Sequence, residues 1–555
     1  MQLDYNPATK LFILSLDRQR DELTAQSAME DYGFELSLPD STAKTAVLFT
    51  PQPYAAATFA HVATPGAQAE LGWIVREIAA SRAATSGRHF SVPPDKELWD
   101  FQKADLDYML SRERVLDADE PGLGKTPTAI VYANEIEAQR VLVIVPASIR
   151  LQWLSKIAEW STMGDGHNGT YYTPNQMAYA VVSGKRGVHP TAAWTVASYE
   201  LARNPGILAG LRQSNYDLLI LDEAHYLKTI GAKRTRAVFG GGHDVLYHEA
   251  LAENAKRIVA LTGTPLPNRP REAYVLGRHF DHAALDWLSE DRFNERFNPI
   301  RQIEVTRKDG STAIVNDERS GRHAELQNRL RANFMTRHLK REVMKDLKYP
   351  SFDLVRLEET EAVRAALKAE SLLGIDPEHL EGANAMVFGH IAEARRIMGE
   401  AMAPQVAQYV KLLLDGGEEK ITLFYWHISV GTIYQSILGK YGVCRVDGSI
   451  TPVVKHALIQ RFRTDPRYRV IMGNVLSLGT GTDGLQDVCW HAVLGEPDWV
   501  NGNNQQCFDR LDRGGQKMKV LGDICVAAGS IAEKVLASAL RKGHVTHNSL
   551  DRRIA

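Results

Sequence analysis

Cysteine is scarce. Cys444, Cys489, Cys507 and Cys525 are the only four in 555 residues, none in a C-x-x-C pair and none beside a cluster of histidines. That spacing argues against a zinc site or a disulfide framework. Small buried apolar side chains are the expected role, and a reducing compartment fits. Long apolar runs are missing too. Nothing approaches the ~20 residues of a membrane span, and Leu11–Leu16, which follows Asp4, is too short for a signal peptide. Neither sign of charge is in excess: 65 Lys and Arg face 67 Asp and Glu, for a net charge of −2. A whole-chain basic signature is therefore absent, and any contact with nucleic acid must come from local basic patches. No run of like charge marks a nuclear signal or a disordered tail, and there is no tandem repeat. These absences lead us to expect a soluble cytoplasmic protein with no membrane association.

What is present is an ordinary globular balance, 44% apolar and 24% charged. The length accommodates about three or four domains. Residues 1–95 read as a small α+β accessory domain. Lys10–Leu16 and Thr45–Thr50 are short strands, and Ala67–Ala84 has helical apolar spacing at Leu71, Ile74, Val75 and Ile78. Arg82–Pro94 reads as a linker. From 96 onward, short apolar runs alternate with amphipathic stretches. The runs are Val115–Asp119, Val141–Val145, Trp194–Ala197, Asp217–Leu221 and Ile258–Thr262. A second series comes later, at Ile421–Tyr425, Val443–Val446, Tyr468–Met472, Ala492–Gly495 and Lys519–Val526. Strands alternating with helices predict an α/β fold with two parallel-sheet lobes, 96–290 and 351–540.

Between them, 291–350 reads as a helical protrusion or linker, and 541–555 as a tail. The protrusion holds a hairpin-type turn at Lys308–Ser311 and a helical stretch from Glu325 to Lys348. That stretch carries Arg329, Arg331, Arg337, Lys340, Arg341, Lys345 and Lys348. A solvated helical face and a phosphate-contacting one explain it equally well.

Asp119–Thr126 (DEPGLGKT) follows a strand and precedes a helix. Gly122 and Gly124 let backbone N–H groups around Leu123 curl about a phosphate, and the helix N-terminus adds partial positive charge. Lys125 is placed to reach the β- and γ-phosphates of ATP, and Thr126 to hold Mg²⁺ through its hydroxyl. The usual pattern opens with Gly, where this chain has Asp119. Pro127 fits an early helix position.

Tyr216–His225 is a buried strand ending in Asp222-Glu-Ala-His225, a DEAH box. Its acids fall at the C-terminal end of a parallel strand, the edge at which open α/β sheets bind ligands. Asp222 suits Mg²⁺, usually through water, and Glu223 suits the orientation and deprotonation of an attacking water. Alone, the pair could merely cap a helix; beside a phosphate loop, chemistry is the better account. His225 either couples nucleotide state to the next segment or makes a plain hydrogen bond. Thr262 and Thr264, also ending a strand, are placed to link the acids to the second lobe.

In the second series, Gln506–Gln516 carries Arg510 and Arg513, three apart and so on one face of a helix. Nucleotide held by one lobe leaves its γ-phosphate facing the other. An arginine supplied there steadies the transition-state charge, a contact worth on the order of 10³–10⁵ in rate. Release of such a bridge on hydrolysis would move the lobes.

In this order, the segments resemble those of the Swi/Snf-type ATPases of the superfamily-two helicase group, over about residues 96–540. Trp99–Lys103 is similar to the adenine-reading segment, with Gln102 as base contact. Leu116–Thr126 resembles LADEMGLGKT, with Pro121 for Met. Val145–Ser148 with Trp153, and Ala197–Glu200 with Ser198, resemble two segments that contact the DNA backbone. Leu261–Asn268 resembles LTGTPIQN, with Pro267 for Gln.

Phe334–Val343, with Arg337, resembles FMLRRLKxDV, and His338 replaces the second Arg. Val446–Ser449 resembles a lobe-two segment in which Lys455 stands for Arg. Gly479–Leu485 and Glu496–Trp499 are similar to the segment ending DWNP, although this chain continues Val-Asn-Gly502. Gln506–Gln516 resembles QAxDRxHRxGQ, with Asp512 for His.

The resemblance implies two tandem RecA-like lobes, ATP hydrolysis stimulated by double-stranded or branched DNA, and movement along the duplex, by a monomer. The compact chain is similar to annealing helicases and their short bacterial and phage relatives. That implies a bacterial cell or phage-infected host and a replication or recombination protein as partner. The competing class is an ATP-gated scaffold that clamps DNA or a protein with little movement.

Overall fold

The computed structural model describes residues 1–30, 33–162, 178–180, 192–241, 246–266, 269–285, 289–306, 312–318, 321–372, 385–448, 450–479, 483–498, 501–530, 533–534 and 536–537. The turn at Lys308–Ser311 and the tail 541–555 lie outside the described residues.

β1 (Gln2–Asn6), β2 (Leu11–Asp17), β3 (Glu35–Leu36) and β4 (Thr45–Thr50) form an antiparallel sheet in the order β1-β2-β4-β3. Every second residue of β2 and β4 is buried, the two-residue period of a sheet with one face on a core. The helix Pro65–Ala80 closes that core with Leu71 and Ile74. Pro65 occupies its first turn, where no N–H is missed, and Thr64 caps it by accepting from Ala67 N.

The second sheet is parallel and seven-stranded. Its strands are β5 (Arg114–Asp117), β6 (Val141–Val145), β7 (Ala178–Ala180), β8 (Trp194–Ser198), β9 (Tyr216–Asp222), β10 (Ala255–Leu261) and, beyond an antiparallel hairpin of β11 (Ile300–Thr306) and β12 (Thr312–Glu318), β13 (Met335–Thr336). The order is β13-β5-β10-β9-β6-β8-β7. All five residues of β6 are buried, as a run of aliphatics must be when both faces of a sheet are covered. Register then decides where the chemistry falls. Leu261 of β10 is level with Asp117 of β5 and Asp222 of β9, and Thr336 of β13 is level with Asp117. Four segments therefore leave the sheet along one edge: 118–126, 223–225, 262–264 and 337–340.

The stretch expected to be one helix from Glu325 to Lys348 is different. The helix is His323–Asn333, and the chain then turns into β13. Nor is its basic side a solvated or phosphate-contacting face along its length. Arg329, Arg331, Arg337 and Lys340 are buried, while Arg341, Lys345 and Lys348 are exposed. The buried ones are paired. Glu325, with no exposed surface, accepts from Arg329 Nε at 2.9 Å and from Arg296 Nη2 at 2.6 Å, and the other Arg329 nitrogens reach Ala284 O and Gln52 Oε1, each at 2.8 Å. Bidentate and charge-assisted bonds are what make such burial tolerable. Ala324 and Ala332 of this helix complete the N-terminal core, and Asn328 donates to Tyr54 O. Instead of protruding, the helix is wedged between the N-terminal sheet and lobe one.

The third sheet comprises β14 (Ser351–Leu357), β15 (Ile421–Tyr425), β16 (Val443–Val446), β17 (Val470–Asn474), β18 (His491–Leu494) and β19 (Leu521–Ala527). It is parallel throughout, in the order β14-β19-β18-β15-β17-β16. Two RecA-like lobes thus stand in tandem behind a small α+β domain. The four cysteines are free and buried.

Candidate active site between the lobes

The phosphate loop runs from the end of β5 to the helix Lys125–Glu135. Gly122 and Gly124 take φ of 92° and 79°, the left-handed region that disfavours a side chain. A Cβ on Gly122 would also lie 2.9 Å from Arg513 Cγ, and one on Gly124 would collide with Gln102 Nε2. Leu123 is buried. Lys125 Nζ is folded into the loop, donating to Asp119 O at 2.6 Å and Glu120 O at 3.2 Å. Half-buried Thr126 sits in the first turn of the helix. Gln102, the expected base contact, buttresses the loop by donating to Leu123 O at 3.1 Å and Gly124 O at 3.2 Å.

Asp119, which stands where the usual pattern has Gly, is an anchor. Its carboxylate accepts from His338 N at 2.6 Å and faces His338 Nδ1 at 3.2 Å; Asp105 Oδ1 lies at 3.2 Å from the same nitrogen. Burial pushes the Asp105 carboxyl up to about 7, helped by the charge of Asp119. Burial also works against a charged His338, yet the two carboxylates prevail and raise it to about 11. His338, in the place of an arginine, is thus a buried cation between two acids. Arg337 bonds the same segment from the other side, donating to Ala118 O at 2.5 Å.

Across β10, Asp222 and Glu223 end β9. Burial, then the charge of Glu223, pushes the Asp222 carboxyl up to about 6. Burial opposes ionisation of Glu223 as well, but the bond to His225 and the charges of His225, Arg510 and Lys125 hold it well below the usual range. Glu223 sits at φ 49°, in the left-handed region that a residue other than glycine seldom adopts. Its Oε2 is 3.3 Å from His225 Nδ1, which meets Thr262 Oγ1 at 3.0 Å and Thr264 Oγ1 at 3.5 Å. The acid pair is therefore wired to the end of the neighbouring strand.

Lobe two faces this edge with Arg510 and Arg513. They do not lie on a helix as expected: Asn501–Phe508 ends before them, and both occupy the tight turns beyond it, ahead of Gly514 and Gly515. Burial, then the like charge of Arg513, lowers Arg510 to about 9, while Glu223 favours its charge. Arg513 donates through Nε to Asp509 O at 2.7 Å and lies against Gly122. Gly514 packs against Trp99.

Several expected DNA contacts are not at a surface. Trp153 is 2% exposed, and its indole N–H donates to Asp222 Oδ2 at 2.6 Å, the partner that a buried indole requires. Ser198 is 1% exposed and caps the next helix by accepting from Leu201 N. Lys455 is 7% exposed, donates to Ser477 O at 2.6 Å, and is lowered to about 7 by burial and the nearby Arg510. Gln506 is buried, with its backbone carbonyl accepting from Arg510 Nε. Ser449, Trp499 and the Ser148 side chain lie outside the described residues.

Sequence reasoning misses the Trp153–Asp222 bond, the Asp105–His338–Asp119 cluster and Glu120. Only the Phe334–Val343 motif hints at them, through its His338 departure.

Two RecA-like lobes in tandem define the class, a helicase-like ATPase core. Residues 101–371 match the SNF2-related domain, the family that the motifs resemble. It is 27% identical over 476 residues to the DNA annealing helicase and endonuclease ZRANB3 of Bos taurus, covering 83% of this chain and 41% of that protein. It is 26% identical over 447 residues to the SWI/SNF-related matrix-associated actin-dependent regulator of chromatin subfamily A-like protein 1 of Xenopus laevis, covering 78% and 42%. The chain thus spans about two fifths of the length of these curated relatives. The solved Sulfolobus solfataricus SWI2/SNF2 ATPase core in complex with dsDNA aligns at TM-score 0.37 and 16% identity, covering 84% of this chain and 99% of that one.

The expected cytoplasmic setting in a bacterial cell or phage-infected host is corrected by these relatives, which come from cattle, mouse, human, frog and nematode. Compactness of the chain carried the bacterial or phage part of that expectation, and length does not report origin. Among the described residues, no helix is long and apolar enough to cross a membrane.

Proposed function

We propose that this chain is an ATP-driven translocase on double-stranded or branched DNA that remodels forks, anneals strands or displaces bound protein. The observation that carries the reading is convergence across the cleft: Arg513 lies on the phosphate loop at Gly122, and the charge of Arg510 acts on Glu223. One chain supplies both halves of the site, which supports a monomer. Replication or recombination proteins are the partner class that suits such a motor.

The residues fit Mg²⁺. Asp222 and Glu223 are adjacent half-buried carboxylates, and a divalent cation would relieve the repulsion that helps raise Asp222. Asp222 and Thr126 would hold it, and bound there it would neutralise charge on the phosphates of ATP. Lys125, released from the carbonyls of Asp119 and Glu120, reaches the phosphates, and Gln102 is the adenine contact. Glu223, ionised at the end of the strand, orients the attacking water and takes its proton. Arg510 and Arg513 steady the charge that develops on the γ-phosphoryl oxygens. His225, through Thr262 and Thr264, carries the state of the acid pair to the rest of the cleft. Arg337 keeps the phosphate loop on the segment that leads to lobe two.

The test is ATP turnover by the purified chain with no nucleic acid, duplex DNA, forked DNA, single-stranded DNA and RNA side by side. Stimulation by duplex or forked DNA is expected. Turnover indifferent to every nucleic acid would sink the translocase reading in favour of an ATP-gated scaffold.

A further inference from the structure

Lys340 follows the segment that anchors the phosphate loop. Its own N–H donates to Glu120 Oε2 of that loop at 2.7 Å, and Glu120 N donates to His338 O at 3.1 Å. Its side chain leaves lobe one altogether. Nζ lies 2.6 Å from Asp509 Oδ1 and 2.9 Å from Asp512 Oδ2, and all three residues are buried. The second oxygen of each carboxylate is buried with no hydrogen bond, so the ammonium is the cation that both share. Asp509 and Asp512 bracket Arg510 and immediately precede Arg513, and the carbonyl of Asp509 holds Arg513 Nε. Asp512 is also a departure from the family pattern, which has His there. This chain has therefore placed two acids, not one, on the lysine.

We infer that Lys340 is a positioning residue, which fixes the arginine-bearing turn of lobe two against the phosphate loop of lobe one by bridging Asp509 and Asp512. The inference rests on the proposed ATPase site and adds a residue that acts on it through others. With the ammonium gone, two buried carboxylates repel each other with no cation between them, and the turn must move to reach water. A displacement of about 1 Å at a group that stabilises a transition state costs on the order of 10²-fold in rate. Ground-state nucleotide binding, made largely by lobe one, is spared.

The experiment uses the full chain with Lys256→Cys in lobe one and Arg467→Cys in lobe two. Both side chains are exposed, at 76% and 83%, and the four native cysteines are buried, so spin labels go to the new sites. Inter-lobe distance without nucleotide is compared with kcat and KM for ATP. Lys340→Met should lower kcat on the order of 10²-fold, move KM by no more than about threefold, and lengthen or broaden the distance. Lys340→Arg keeps the charge, offers a fork to both acids, and should restore both readouts. Asp512→Asn, a milder change that leaves Lys340 and Asp509 paired, should shift kcat and distance in the same direction by less, and it carries the comparison if Lys340→Met does not fold.

An unchanged kcat per folded molecule, or an unchanged distance, in both neutral variants would overturn the positioning role. Absence of turnover in the parent chain would strike the ATPase reading instead, and the distances would still decide the role of Lys340.

Discussion

The two lobes share a parallel sheet and differ in the turn that leaves it. After β5, the turn is a phosphate loop whose left-handed glycines, Gly122 and Gly124, bend backbone N–H groups into a cradle. After β15, the first fully buried strand of the second lobe, the turn is Trp426-His427, with no glycine and no lysine. There Glu496 accepts from Trp426 N at 2.8 Å and His427 N at 3.0 Å. The start of the helix Ile428–Leu438 thus meets a carboxylate of its own protein, where the proposed site of the first lobe would take a phosphate. Two parallel sheets thus carry different turns at their edges, so function belongs to the grafted site and not to the sheet.

Support differs as well. The outer strand of lobe two, β14, is largely exposed. The outer strand of lobe one, β13, rests on the N-terminal region: Ser81 Oγ donates to Met335 O at 2.6 Å, Arg331 Nη1 donates to Ser81 Oγ at 3.2 Å, and the helix His323–Asn333 fills the N-terminal core. Removing residues 1–95 should therefore have the largest effect of any change considered. It uncovers the buried Arg329–Glu325 pair and strips Ser81 and Ala83 from the cleft side of the sheet. We expect loss of soluble, cooperatively folding chain, read as soluble yield and a thermal melt. A soluble deletion that keeps basal ATP turnover would show the two lobes to be equally self-sufficient.

The second way to break the comparison is kinetic. If lobe one binds and lobe two accelerates, Lys125→Ala should lose nucleotide affinity and turnover together. Arg513→Ala should keep affinity within about tenfold while losing on the order of 10³–10⁵ in rate. Fluorescent-nucleotide titration beside steady-state turnover separates the two. Weaker binding with an unchanged rate in Arg513→Ala would return that arginine to lobe-one duty, as a binding group.

How much of this is legible in the sequence depends on range. Most of the ten strands read from apolar runs are buried on both faces; the edge strand β16, with alternate residues buried, is legible from its length of apolar sequence alone. β14 escapes such a reading because its residues face solvent, and β13 because two residues leave no period to read. The loop and the DEAH acids are legible because each is contiguous in sequence. Their partners are not: Trp153 meets Asp222 across 69 positions, Asp119 meets His338 across 219, and Lys340 meets Asp509 across 169. Arg331 is hidden in the same way, since it meets Ser81 across 250 positions. Arg329 has its acid four residues away in Glu325, and such a local pair reads as a surface one until the N-terminal domain that covers it is known.

The smallest predicted effect sharpens the contrast at one buried charge. Both ring nitrogens of His338 face acceptors, Nδ1 the Asp105 and Asp119 carboxylates and Nε2 the carbonyl of Ala83 at 3.0 Å, so the ring sits as an imidazolium. Its folded value of about 11 lies above the 6.5 of a free histidine. A group raised on folding stabilises fully below its unfolded value, and that contribution drains away as pH climbs towards its folded one. Asp105, raised to about 7 from 3.8, pulls in the same direction, since its proton also favours the folded state at lower pH.

His338→Gln keeps a polar side chain and removes the charge, leaving two buried acids uncompensated. It should cost about 3–5 kcal/mol. Denaturant melts of the two proteins should differ most at and below about pH 6.5 and converge as pH rises towards about 11. A gap that stays constant over that range would mean a neutral histidine, and the phosphate loop would then be anchored by hydrogen bonds alone.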